Sequence, residues 1–153
     1  MQNVLYHGTW ETDINFIDLP VANYNSIGTW LTESPDKANM YGKNVVSVNV
    51  EINNPFFAHT DNFDEFFFNI PISNKYIDTN KPTREDMKFL LNNAEYIQEF
   101  KNLIVNAGYD TIIFTDSKID LSNDEGTQTV YILLKPNVQI ASHKYLQEVN
   151  CCA

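Results

Sequence analysis

The chain has 153 residues, enough for one domain with a single core, and its 43% hydrophobic and 13% aromatic content excludes a disordered or low-complexity polymer. Its 20 acidic and 10 basic residues leave a formal net charge of -10. Such a surface repels nucleic acid and anionic membranes wherever cations are not locally gathered, and suits a basic protein partner or simple solubility.

The only cysteines, Cys151 and Cys152, are adjacent, which is neither a disulfide framework nor a metal-ligand spacing. The start "MQNVLYHGTW" lacks the basic and long apolar regions of a secretory signal. No apolar run approaches the ~18–20 residues of a membrane-spanning helix. The expectation is a single domain over residues 1–150 with a tail at 151–153, in a reducing, cytoplasmic compartment and away from membranes.

In chain order, "NVLYH" (3–7) predicts a strand, 11–26 an irregular loop, and "IGTWLTE" (27–33) a second strand. "SPDKANMYG" (34–42) predicts a helix: Ser34 caps, Pro35 fits the first position, Asp36 sits in the first turn and Gly42 closes it. "NVVSVNVEI" (44–52) alternates, with Val46, Val48 and Val50 on one face, so it predicts a half-buried strand. The Phe-rich stretch 61–70 predicts a short helix and 71–80 an Asn-rich loop.

Thr83, with Asp86 at the capping-box position, opens the helix "REDMKFLLNN". Residues 94–108 predict the clearest helix, with Ile97, Phe100, Ile104 and Ala107 as its apolar stripe and Gly108 as its stop. Strands follow at 109–115 and 127–134, separated by a polar loop at 116–126, and a last one at 138–142. Strand pairs at both ends with no crossover helices between them predict antiparallel pairing and an α+β domain around a helical middle.

Three stretches carry candidate chemistry. "YHGT" (6–9) puts an imidazole, an open backbone edge and a hydroxyl within three residues, for a planar amide or for a satisfied structural histidine. "GTWLTESPDKANMYG" (28–42) places Trp30 on a strand and Tyr41 eleven residues later, able to sandwich a flat ring or simply to fill the core. "LSNDEGTQTVYILL" (121–134) feeds an acidic turn into a strand, either to offset a developing cation or to make a hairpin. His59 and His143 have no partner at metal spacing and are read as structural or surface residues; no phosphate-binding glycine loop occurs.

Taken in order, these stretches resemble the ADP-ribosyltransferase fold, in the branch shared by diphtheria toxin and the poly(ADP-ribose) polymerases. The resemblance covers both ends of the chain and hardly touches about 55–108. It implies an α+β domain of split antiparallel sheets with a helical insert. It also implies NAD as substrate and no metal. On the matching positions, His7 would hydrogen-bond the adenosine ribose, the Gly8 backbone would pair with the nicotinamide carboxamide, and Thr9 would help hold that end. Tyr41 would stack on the nicotinamide ring. Trp30 departs from the family's tyrosine, and Ala38 from a serine that contacts the amide.

The third motif departs most. The polymerases' glutamate falls on Val130, before Tyr131, while small phage and bacterial members place an acidic residue in the turn before the strand. By that match Glu125 or Asp124 is the catalytic carboxylate, with Gln128 a third candidate.

The implied activity is transfer of ADP-ribose from NAD to a macromolecule, a protein rather than a nucleic acid given the acidic surface. The small size and composition resemble phage or bacterial proteins of phage–host conflict, toxins or inhibitors of defence complexes. Two alternatives stand beside it: an inactive, protein-binding relative, and an NAD glycohydrolase.

Overall fold

The computed structural model describes residues 2–18, 20–58, 75–77, 83–117 and 128–146. Seven strands form one sheet of order β4-β5-β6-β2-β1-β3-β7. The strands are β1 (Gln2–Thr9), β2 (Thr29–Thr32), β3 (Asn44–Glu51), β4 (Pro55–Ala58), β5 (Thr111–Ser117), β6 (Gln128–Leu133) and β7 (Ile140–Tyr145). The helices among the described residues are α1 (Pro35–Ala38), α2 (Arg84–Leu91), α3 (Ala94–Asn106) and α4 (Pro136–Gln139), with a 3-10 turn at Tyr24–Ser26.

Local chemistry builds these elements much as the sequence suggests. Val46, Val48 and Val50 are buried on one face of β3, which pairs with β1 along its whole length. Ser34 accepts from the Lys37 amide at 3.1 Å and caps α1. Thr83 and Asp86 form a reciprocal capping box on α2, the Thr83 amide donating to Asp86 at 2.9 Å. Asn93 caps α3 by accepting from the Tyr96 amide at 3.0 Å. Gly108, at φ +100°, ends it, in the left-handed conformation that glycine adopts without a Cβ penalty.

The sheet is nearly cut in two. β1 and β2 pair at a single position, Tyr6 with Thr32, and then part. On one side lie β4, β5, β6 and β2; on the other, β1, β3 and β7. Leu31 and Leu133 from the first group meet Leu5, Val46, Val48 and Val50 from the second in a shared core. The first group also packs its opposite face, through Ile112, Phe114, Val130 and Ile132, against Ile97, Phe100 and Ile104 of α3. β6 is therefore apolar on both faces, which alternation alone would not require.

Several expectations are corrected. Pairing is not wholly antiparallel: β4 runs parallel to β5, Pro55 against Thr111 through Ala58 against Phe114. The helical insert supplies the long crossover that parallel strands need. The helix expected at 34–42 spans only Pro35–Ala38, with Asn39 as C-cap. In the α3 stripe Ala107 is exposed at the C-cap, and Tyr96 is fully buried in its place. The last strand begins at Ile140, because Pro136 opens a short helix first. The helix expected at 61–70 lies outside the described residues, as does the loop at 71–80 except Lys75–Ile77. Among the described residues, no helix is long and apolar enough to cross a membrane.

Candidate functional site

The parting of β1 from β2 creates the site. Beyond Tyr6, residues His7–Thr9 have no strand partner on the β2 side. The His7 side chain takes over where the ladder stops: its Nδ1 lies 2.8 Å from the carbonyl oxygen of Trp30. A carbonyl only accepts, so Nδ1 carries the proton and donates. Burial lowers the His7 pKa from its ordinary 6.5, against the Trp30 bond and the Glu11 charge, which act to raise it. The ring is thereby held neutral, and Nε2 has a lone pair for a hydroxyl donor.

Gly8 follows on β1. A Cβ at this position would overlap the carbonyl of Ala38 at the end of α1. The sequence suggested that glycine keeps a backbone edge open; the structure adds that it admits α1 against β1. Gly42 has a similar duty, since a Cβ there would sit 2.7 Å from Thr9 Cα. It therefore permits a close approach and does not close the helix as expected. Because α1 sits so near β1, the Tyr41 amide, which donates to the Ala38 carbonyl at 3.0 Å, is held at the cleft.

These contacts frame a cavity of about 280 Å³ lined by Tyr6, His7, Gly8, Tyr24, Trp30, Tyr41 and Val130, among others. Four of the sequence candidates (His7, Gly8, Trp30 and Tyr41) are thus brought together from β1, β2 and the turn that follows α1. Trp30 is half-buried and meets Tyr24 edge-on, ring centroids 6.2 Å apart. Tyr41 is 42% exposed, so its ring remains accessible. Aromatic walls beside a polar backbone edge suit a flat, amide-bearing ring.

Thr9 falls elsewhere. It lines a second cavity of about 320 Å³, which shares His7, Asn25 and Trp30 with the first. The two form one trench with the His7–Trp30 bond at its waist. Thr9 Oγ1 accepts from the Glu11 amide at 3.1 Å.

The expected carboxylates Asp124 and Glu125 lie outside the described residues, as do His59 and the side chain of Gln128, whose backbone opens β6. Val130, two residues on, lines the first cavity. His143 is exposed on β7, its ring 5.2 Å from Phe16. Among the described residues no group of three or more His, Cys, Asp or Glu is placed to hold a metal. Sequence reasoning missed Tyr6, Tyr24 and Thr32 as lining residues and Lys101 in the second cavity. Tyr6 and Thr32 were within reach, inside the stretches "YHGT" and "GTWLTESPDKANMYG"; Tyr24 and Lys101 had no local signal.

A seven-stranded α+β sheet with the His-Gly-Thr stretch on β1 is compatible with an ADP-ribosyltransferase fold. The chain belongs to the family described as ADP-ribosyltransferase in polyvalent proteins, whose model matches residues 1–144. Among solved structures, the chain resembles one titled "Crystal structure of an anti-CRISPR protein" at 14% identity and a TM-score of 0.50, covering 95% of this chain and 96% of that one. That likeness is one of fold. No curated protein matches the chain.

Proposed function

We propose that the protein is a mono-ADP-ribosyltransferase that moves ADP-ribose from NAD to a macromolecular acceptor. The observation that carries this reading is the meeting of His7, Gly8, Trp30 and Tyr41 around one cavity, in a chain of the ADP-ribosyltransferase family. The nicotinamide ring would enter between the aromatic walls, its carboxamide against the Gly8 backbone and its face against Tyr41. Neutral His7 would accept a ribose hydroxyl through Nε2, and Thr9 would help fix the same substrate.

In the reaction the bond between ribose C1′ and the pyridinium nitrogen breaks. Its electron pair goes to nicotinamide, which leaves neutral. The ribose passes through an oxocarbenium-like state, and a nucleophile on the acceptor bonds to C1′ and loses its proton. Glu125, or Asp124, would orient the ribose and offset the positive charge; Gln128 is the remaining candidate. Positioning and electrostatics supply most of the acceleration in such a scheme.

The net charge of -10 favours a protein acceptor over nucleic acid. A setting in phage–host conflict, in the cytoplasm of the infected cell, accords with the anti-CRISPR title of the structural neighbour. The test is incubation of the protein with NAD carrying a labelled adenylate, reading nicotinamide release and label on host macromolecules. Transfer that Glu125→Ala or Asp124→Ala abolishes supports the reading. Release of nicotinamide without labelled acceptor makes the protein a glycohydrolase. Neither release nor a rise in melting temperature with NAD removes the enzyme reading in favour of a binding module.

A further inference from the structure

The helical insert, which the resemblance left without a role, contributes to the trench. Lys101 stands on α3, one residue past the buried Phe100, and its side chain lines the second cavity. Among the described residues it is the one lysine or arginine that lines either cavity. The two carboxylates on the same lining are Glu11 and Asp18. Lys101 makes no ion pair among the described residues, and Asp18 Oδ1 accepts instead from the Asn137 amide at 3.3 Å. Burial weakens its hold on the proton more than the Asp18 charge strengthens it. A half-buried ammonium with no ion pair among the described residues is costly even beside the Asp18 charge, and a bound anion relieves that cost.

The two halves of the trench also differ in chemistry. The first is walled by Tyr6, Tyr24, Trp30 and Tyr41. The second adds Thr9, Asn15, Ser26, Thr29 and Lys101 to apolar side chains such as Phe16 and Ile17 and to the carboxylates Glu11 and Asp18. A ligand crossing the waist at His7 presents a flat ring to one half and a more polar, anionic portion to the other. The dinucleotide of the proposed reaction has that form, with its pyrophosphate between two nucleosides.

We infer that Lys101 is the phosphate-binding residue of the trench and holds the pyrophosphate of the dinucleotide. The inference rests on the proposed NAD reading. In a molecule of net charge -10 this cation favours approach of a substrate that carries a doubly charged pyrophosphate. It also gives the insert a function, setting preference for dinucleotide over free nicotinamide.

The test is calorimetric titration of NAD, ADP-ribose and nicotinamide into the wild-type protein, Lys101→Met and Lys101→Arg. Lys101→Met keeps the packed stem and removes the charge. It should weaken NAD and ADP-ribose about ten- to hundredfold, the range of a charge-assisted contact, and leave nicotinamide unchanged. Lys101→Arg should retain most of the affinity. Should Lys101→Met not fold, Asp18→Asn serves instead: it keeps the Oδ1 acceptor, removes a competing charge, and should tighten NAD severalfold. Wild-type binding of NAD with equal binding by Lys101→Met, or no tightening by Asp18→Asn, overturns the inference and leaves the NAD reading standing. If the wild-type protein binds neither NAD nor ADP-ribose, both fall together.

Discussion

Substituting Gly8 by alanine tests the frame on which the site depends. The φ of Gly8 is not positive, so alanine fits its backbone. The unfolded chain even loses freedom, which favours the variant by about 0.4–1 kcal/mol. Against this, the new Cβ would overlap the Ala38 carbonyl, which is backbone in a fully buried residue and cannot swing aside like a side-chain tip. Overpacking of this kind costs roughly 1–3 kcal/mol. A net loss of about 1–2 kcal/mol corresponds, for a domain of this size, to a melting temperature lower by roughly 3–8 °C. The Ala38 carbonyl is also the acceptor for the Tyr41 amide at 3.0 Å, so relief of the overlap moves Tyr41. The variant should therefore lose stabilisation by NAD as well as intrinsic stability. Differential scanning fluorimetry with and without NAD reads both. A Gly8→Ala protein that melts with the wild type would refute the claim that α1 rests on this glycine.

Three further outcomes are expected. His7 is held neutral by burial, so the folded protein binds fewer protons than the unfolded chain below pH 6.5; its contribution is complete above that value and is lost as pH falls through it toward the lower folded pKa. In urea unfolding, the stability gap between wild type and His7→Gln should narrow from pH 7.5 to pH 5, and a constant gap would count against the buried neutral ring. Tyr41 is 42% exposed, so Tyr41→Ala should change stability by less than about 1 kcal/mol while weakening NAD about tenfold, with Tyr41→Phe near wild type; equal NAD binding by the alanine variant would remove the stacking role. Tyr131 donates to Glu33 at 2.9 Å, and burial together with that carboxylate pushes its hydroxyl up to about 12. Ultraviolet titration of Glu33→Gln should show that tyrosine ionising at lower pH, and an unchanged curve would mean that burial alone sets it.

Much of this was readable without coordinates because the signals are local. The valine alternation of β3, the caps at Ser34 and Thr83 and the stop at Gly108 depend on neighbours within a few residues. The His-Gly-Thr and Trp30–Tyr41 spacings could be matched for the same reason: the motif is contiguous even though the cleft is not. The carboxylate candidates Asp124 and Glu125 rest on the sequence still, since they lie outside the described residues.

What folding alone decided are relations between distant segments. β4 has no alternating pattern of its own and becomes a strand because β5 offers a parallel edge more than fifty residues later. Ala107 fits the helical period but falls past the last turn, while Tyr96 finds the interior through Tyr76, 5.4 Å away. Lys101, which carried no signal in the sequence, lines the second cavity together with residues of β1 and β2 near the point where those strands part. Short-range preferences fix which residues pair with their neighbours in sequence. The closing of the chain on itself, driven by burial of two apolar cores, fixes which glycine meets a carbonyl and which lysine faces the cleft.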